Sequence, residues 1–130
     1  LGTFLDDQQG AGAVVSRHKD KRESVRFSNY GTEGRENMIY HSLSDGKNNH
    51  HLDPFVIDIL PTEGGSFEPS SHEGEEFIYV LEGQVEINYG KQTYLLETGD
   101  SIYYDSIVKH HVHGYGGNPA RILAVVYTPI

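Results

Sequence analysis

Hydrophobic residues in this chain recur in short runs broken by polar ones, and no stretch holds the 3.6-residue spacing of an amphipathic helix. The runs are rich in Val, Ile, Tyr and Phe, and Gly, Asn, Asp and Pro separate them, which is the punctuation of strands and turns. Strands are expected over residues 13–16, 25–27, 37–42, 54–60, 75–82, 84–89, 91–97, 101–104, 110–114 and 120–127. Their number and even spacing predict an all-β sandwich or barrel. Val85-Glu86-Ile87-Asn88-Tyr89 and Thr93-Tyr94-Leu95-Leu96 flank Gly90-Lys91, a pair suited to a tight hairpin in which glycine supplies a positive φ. The polar run at 44–49 reads as a loop. One domain is expected, with residues 1–53 as N-terminal strands and loops packing on a barrel core formed by 54–130.

Length and composition narrow the chemistry. A chain of 130 residues buries a modest single core. The absence of cysteine removes disulfides, thiolate metal sites and a cysteine nucleophile, and leaves His, carboxylates and Tyr. No window approaches the roughly 18 apolar residues of a membrane span, and no basic-then-apolar leader opens the chain. A cytoplasmic protein without a membrane partner is the expectation. The formal charge is −9, and Arg17, Lys19, Lys21, Arg22 and Arg26 hold half of the basic residues. Outside 17–26 the other 5 basic residues stand against 17 acidic ones, a balance of −12 that repels phosphates and argues against nucleic-acid binding by this chain itself. The basic run reads as a solvated turn between the strands at 13–16 and 25–27. The first residue is Leu rather than Met, which points to an excised or processed piece.

Candidate chemistry gathers in two segments. Along a strand the side-chain period is two, so His72, Glu76, Ile78 and Val80 can share a face, and His72 and Glu76 can approach one ion. In the later strand His110 and Val112 share one face, and His111 and His113 share the other. Only one of these two sets can look inward, and a site made from two imidazoles and one carboxylate would suit a divalent first-row metal, with open positions for water or a small ligand. His111 and His113 are expected to face outward, His50 and His51 to sit in a loop, and Tyr79, Tyr103 and Tyr104 to serve strand packing.

These segments resemble the two motifs of the cupins. Gly64 or Gly65, His72, Glu76 and Gly83 fit the first motif, and Gly99-Asp100 with His110 fit the second, fifteen residues separating Gly83 from Gly99. The resemblance covers about residues 64–113 and implies a double-stranded β-helix, or jelly-roll, barrel with His72, Glu76 and His110 turned toward a common cavity. Ser70 stands where the family usually carries its first histidine, Asp105 where a proline is common, Ile107 where a glycine is common, and Gly114 where an asparagine often follows. Ser70 removes one of four usual ligands, and a neutral hydroxyl is a much poorer ligand than imidazole. A three-ligand metal site and a metal-free cavity for an organic molecule both remain open at this point.

The wording of the two motifs is also similar to the C-terminal sensor domain of bacterial transcriptional regulators that join a Cro-repressor-type helix-turn-helix to a cupin. The opening Leu1-Gly-Thr-Phe-Leu-Asp-Asp is similar to the segment that follows their DNA-binding helices. That resemblance implies a homodimeric, effector-sensing domain whose partner is a small molecule, with DNA recognised only through an upstream part. The alternative is a stand-alone metal-dependent cupin enzyme, an oxygenase or isomerase, in which His72, Glu76 and His110 hold a divalent metal (Zn, Fe, Mn or Ni), and a third reading is a metal-free storage or scaffold protein.

Overall fold

The computed structural model describes residues 12–20, 37–62 and 67–129. The sequence expectations at Leu1 to Asp7, at 25–27, over most of the basic run and at Gly64 and Gly65 fall outside these residues. Eight strands are present: β1 (Met38–Ser42), β2 (Leu52–Ile59), β3 (Glu75–Glu82), β4 (Val85–Tyr89), β5 (Gln92–Leu96), β6 (Ser101–Asp105), β7 (His110–Gly114) and β8 (Ala120–Tyr127). They form two antiparallel sheets, one in the order β1-β2-β8-β3-β6 and the other in the order β5-β4-β7. Among the described residues the only helical pieces are two 3-10 turns, His18–Asp20 and Tyr115–Gly117. None of these is long and apolar enough to cross a membrane.

The expected strand at 13–16 is not one: these residues pair with no ladder, and Val15 is 72 % exposed. A short apolar run becomes a strand only when a neighbouring strand takes up its backbone groups, and sequence alternation is blind to that partner. Strand β2 starts at Leu52, two residues before the expected position, and the other seven expected strands fall within a residue or two of the observed ones.

Period-two alternation sets the core. Phe55, Ile57 and Ile59 of β2, Ile78 and Val80 of β3, and Ile122 and Ala124 of β8 face the second sheet, from which Val85, Ile87 and Val112 project back. Dehydration of this interleaved apolar layer stabilises the sandwich. At the β4–β5 hairpin Tyr89 pairs with Gln92, so Gly90 and Lys91 alone make the turn, and Gly90 carries the positive φ of +58°. On the outer face, cross-strand neighbours form a chain of charge: Arg121 Nε donates to Asp58 at 2.7 Å, Arg121 also reaches Glu82 at 3.0 Å, and His41 Nε2 lies 3.0 Å from Asp58. Partial burial pushes the Asp58 carboxyl up, but the Arg121 and His41 bonds outweigh it and hold the group below its ordinary value.

The stretch that carries the first motif is lashed to the stretch before β7. Ser70 and His110 exchange two backbone hydrogen bonds of 2.9 Å, His72 N–H donates to the Ser106 carbonyl at 3.0 Å, and Ser106 N–H donates to the Gly74 carbonyl at 2.9 Å. Gly74 sits at φ +118° with its α-carbon so close to β8 that a Cβ there would stand 2.0 Å from the Tyr127 carbonyl oxygen. Only glycine fits both constraints. Gly74→Ala is therefore expected to lower the unfolding free energy by more than about 1 kcal/mol. Urea denaturation of the two proteins checks this, and equal midpoints would contradict the packing described.

Candidate metal centre

Glu76 lies on the inward face of β3 in a layer otherwise made of apolar side chains, with only 11 % of its side chain exposed. A carboxylate there needs partners, because burying a charge without them is strongly unfavourable. Three side chains supply them. Tyr104, its register partner on β6, donates its hydroxyl to Oε1 at 2.5 Å. His72 places Nε2 at 2.8 Å from Oε2, and His110 places Nε2 at 3.6 Å from the same oxygen. Burial alone would raise the Glu76 pKa, but in the metal-free protein the imidazoles of His110 and His72, when protonated, and the Tyr104 hydroxyl reverse it and hold the carboxyl far below the usual range.

The local backbone explains the convergence. His110 is the first residue of β7 and 3 % exposed, and its Nδ1 donates to the Val108 carbonyl at 2.7 Å. That bond fixes the tautomer, so in the neutral ring Nε2 carries a lone pair. This atom is buried and has no hydrogen-bond partner, and it faces a carboxylate oxygen that is also an acceptor. Two acceptors turned toward each other across 3.6 Å are what a cation between them would satisfy. One ligand atom each from His72, Glu76 and His110 can be chosen so that all lie within 4.8 Å of one another. The donor set and its orphaned nitrogen thus fit a divalent metal ion.

The three residues form part of the wall of a cavity of ≈ 620 Å³ between the sheets. Met38, Ile57 and Ile122 give this cavity an apolar side, and the β1–β2 loop contributes a polar rim including Ser44, Lys47 and His50. Ser70 also lines it, on the stretch beside His110.

Other expectations change. His111 and His113 do not face solvent: they are 9 % and 4 % exposed, under a coil in which Phe67 stacks on His113 with ring centroids 3.8 Å apart. Glu86 can only accept, so His113 donates from Nε2 across 2.8 Å, and the neutral ring then takes a proton from His111 Nδ1 at 3.0 Å. Strand parity assigned these histidines to the outer face correctly, but a covering coil leaves no periodic signal. His50 and His51 precede β2 as expected for a loop, yet each has a partner: Asp53 Oδ1 at 2.7 Å for His50 and the Thr128 carbonyl at 3.1 Å for His51. Tyr104 was expected only to pack, and it also binds Glu76. Its inward parity, shared with Ile102, was the available signal.

The depressed Glu76 carboxyl makes acid stability a direct readout. A carboxyl whose folded pKa lies below its ordinary 4.5 contributes stability above that pH and loses it as pH falls through the folded value. The metal-free protein is expected to lose unfolding free energy progressively below about pH 4.5, and Glu76→Gln is expected to flatten that limb. Denaturant midpoints measured from pH 7 to pH 3 check this, and parallel profiles for the two proteins would count against it.

Comparison with known proteins agrees with the fold and redirects the function. Residues 57–126 match the Cupin domain family. The (S)-2-hydroxypropylphosphonic acid epoxidase of Streptomyces wedmorensis is 32 % identical over 134 residues, covering 95 % of this chain and 62 % of that protein. The crystal structure of Fe(II)-HppE with the alternative substrate (S)-1-HPP superposes with a TM-score of 0.69 at 26 % identity, over 89 % of this chain and 60 % of that one. The hydroxypropylphosphonic acid epoxidase in complex with fosfomycin does so with a TM-score of 0.69 at 25 % identity, over 89 % and 60 % of the two chains. The chain therefore spans less than two thirds of the length of these relatives. Their being an epoxidase overturns the expectation of an effector-sensing domain of a transcriptional regulator, and with it the assignment to DNA binding. A similarity in the wording of two barrel motifs reports the barrel and not its employment. By its match over more than half its length, this chain belongs to the cupin family.

Proposed function

We propose that this chain is the metal-bearing barrel of a non-haem iron-dependent oxidative enzyme acting on a small hydroxylated organic acid of the hydroxyalkylphosphonate kind. The observation that carries the reading is the buried, unpartnered Nε2 of His110 turned toward Glu76 Oε2, with His72 on the same oxygen. Two histidines and one carboxylate on one side of an ion are the donor set of ferrous oxygenases, which keep positions open for substrate and oxidant. The relatives support the choice of metal and substrate class, since several of the solved HppE structures are Fe(II) forms and the related epoxidase is named for (S)-2-hydroxypropylphosphonic acid.

On this reading His72, Glu76 and His110 hold the ion, which when bound supplies redox chemistry and open coordination positions. The remaining work belongs to the chain itself. The apolar wall around Met38, Ile57 and Ile122 sheds water from the substrate's carbon skeleton, and the polar rim meets its head group. Ser70 in place of a further imidazole leaves the cavity side of the centre clear for a substrate oxygen.

Protein purified without an affinity tag is expected to bind about one equivalent of Fe(II) or Co(II), more weakly in acid, where imidazole takes up a proton instead. His72→Ala, Glu76→Ala and His110→Ala should each abolish that stoichiometric binding, as followed by anaerobic titration. Oxygen uptake with (S)-2-hydroxypropylphosphonic acid, Fe(II) and a reductant tests the activity, and a wild-type protein that retains no metal would end the proposal. Ser70→His is expected to tighten metal retention and to slow turnover, because a third imidazole, as a fourth protein ligand, fills a position that substrate needs. Faster turnover in that variant would contradict the assigned role of Ser70.

A further inference from the structure

The geometry points to Tyr104 as a positioning residue for the metal centre: its hydroxyl occupies one oxygen of the Glu76 carboxylate and leaves only the other oxygen to a metal ion. This rests on the ligand set proposed above, and concerns how one ligand binds rather than which residues bind.

A carboxylate can hold a cation through one oxygen or through both, and the choice depends on what else claims the second oxygen. Here the claims are divided. Tyr104 donates to Oε1 at 2.5 Å, the short separation of a hydroxyl bonded to an ionised acceptor. His72 and His110 both approach Oε2, at 2.8 Å and 3.6 Å. The antiparallel register sets Tyr104 directly opposite Glu76, and both side chains face inward.

The phenol has little freedom to leave. Tyr104 is 6 % exposed, and its ring lies 5.0 Å from that of His110 and 5.0 Å from that of Tyr89. Tyr89 is tied in turn through its hydroxyl to the Asp105 carbonyl at 3.0 Å. Swinging Tyr104 away would open a void in this stack and strip a buried carboxylate oxygen of its donor. With Tyr104 in place, an ion at Oε2 meets two imidazoles and a single carboxylate oxygen. With the hydroxyl gone, Oε1 becomes an unpaired buried acceptor, and chelating the ion is the nearest way to satisfy it. Chelation would use a coordination position that otherwise faces the cavity.

Tyr104→Phe removes one oxygen and keeps the ring. Co(II) is the probe, added to the wild-type chain and to Tyr104→Phe and followed by visible absorption and by the metal-minus-apo infrared difference spectrum. The wild type is expected to show the wide splitting between antisymmetric and symmetric carboxylate stretches of one-oxygen ligation. Tyr104→Phe should bind Co(II) about 10- to 100-fold more weakly, with a shifted visible band and a splitting narrowed toward chelation. Equal affinity and equal spectra in the two proteins would overturn the role of Tyr104 while leaving the ligand set standing. A wild-type chain that binds no Co(II) would instead remove the ligand set itself, and the inference with it. Circular dichroism of the apo proteins shows whether the variant folds; if it does not, the wild-type splitting decides, and a chelating pattern overturns the inference.

Discussion

The site depends on one backbone arrangement, the antiparallel lash between residues 70–74 and 106–110. The Ser70 and His110 main chains exchange bonds in both directions, and Ser106 joins His72 to Gly74. Those bonds, with Ser71 Oγ donating to the Ile107 carbonyl at 2.6 Å, hold His72 beside the stretch that leads into β7. With them, residues separated by more than thirty positions meet at one carboxylate oxygen. The lash in turn requires Gly74, because the chain passes the Tyr127 carbonyl too closely for any side chain.

Around that arrangement the protein tolerates a charge where its pattern otherwise asks for an apolar residue. Glu76 occupies an inward position between the two sheets, next in parity to Ile78 and Val80. Its ionised form persists because every approach to it is polar: a phenol on one oxygen and two imidazoles toward the other. The outer-face chain of His41, Asp58, Arg121 and Glu82 is a different case. It runs from the buried His41 out to the exposed Arg121 and Glu82, where water screens the outer contacts and those pairs contribute modestly.

Much of this was legible in the sequence, for identifiable reasons. Strands β3, β4, β6 and β8 were recoverable because their inward and outward residues alternate, and His72, Glu76 and His110 stood out because motif spacing agrees with a parity that lets them share a cavity. The failures share a cause: a side chain's environment depends on what lies over it. His111 and His113 read as surface residues because Phe67 belongs to a coil with no period. The run at 13–16 read as a strand because alternation says nothing of a partner. Tyr104 read as packing, and it does pack, but its bond to Glu76 follows from a strand register that no single segment encodes. The regulator reading failed differently, since motifs that specify a barrel do not specify its use.

The stack of Phe67 on His113 bears on how the cavity wall is held. The coil that carries Ser70 is pinned at two points, by the ring contact at 67 and by the paired backbone bonds at 70. His113 is itself secured to Glu86, so the first pin is anchored in the sheet and not in another mobile element. Only two residues lie between the pins. That part of the cavity wall is thus fastened directly to the sheet beneath it, so the position of Ser70 beside His110 is set by the barrel itself.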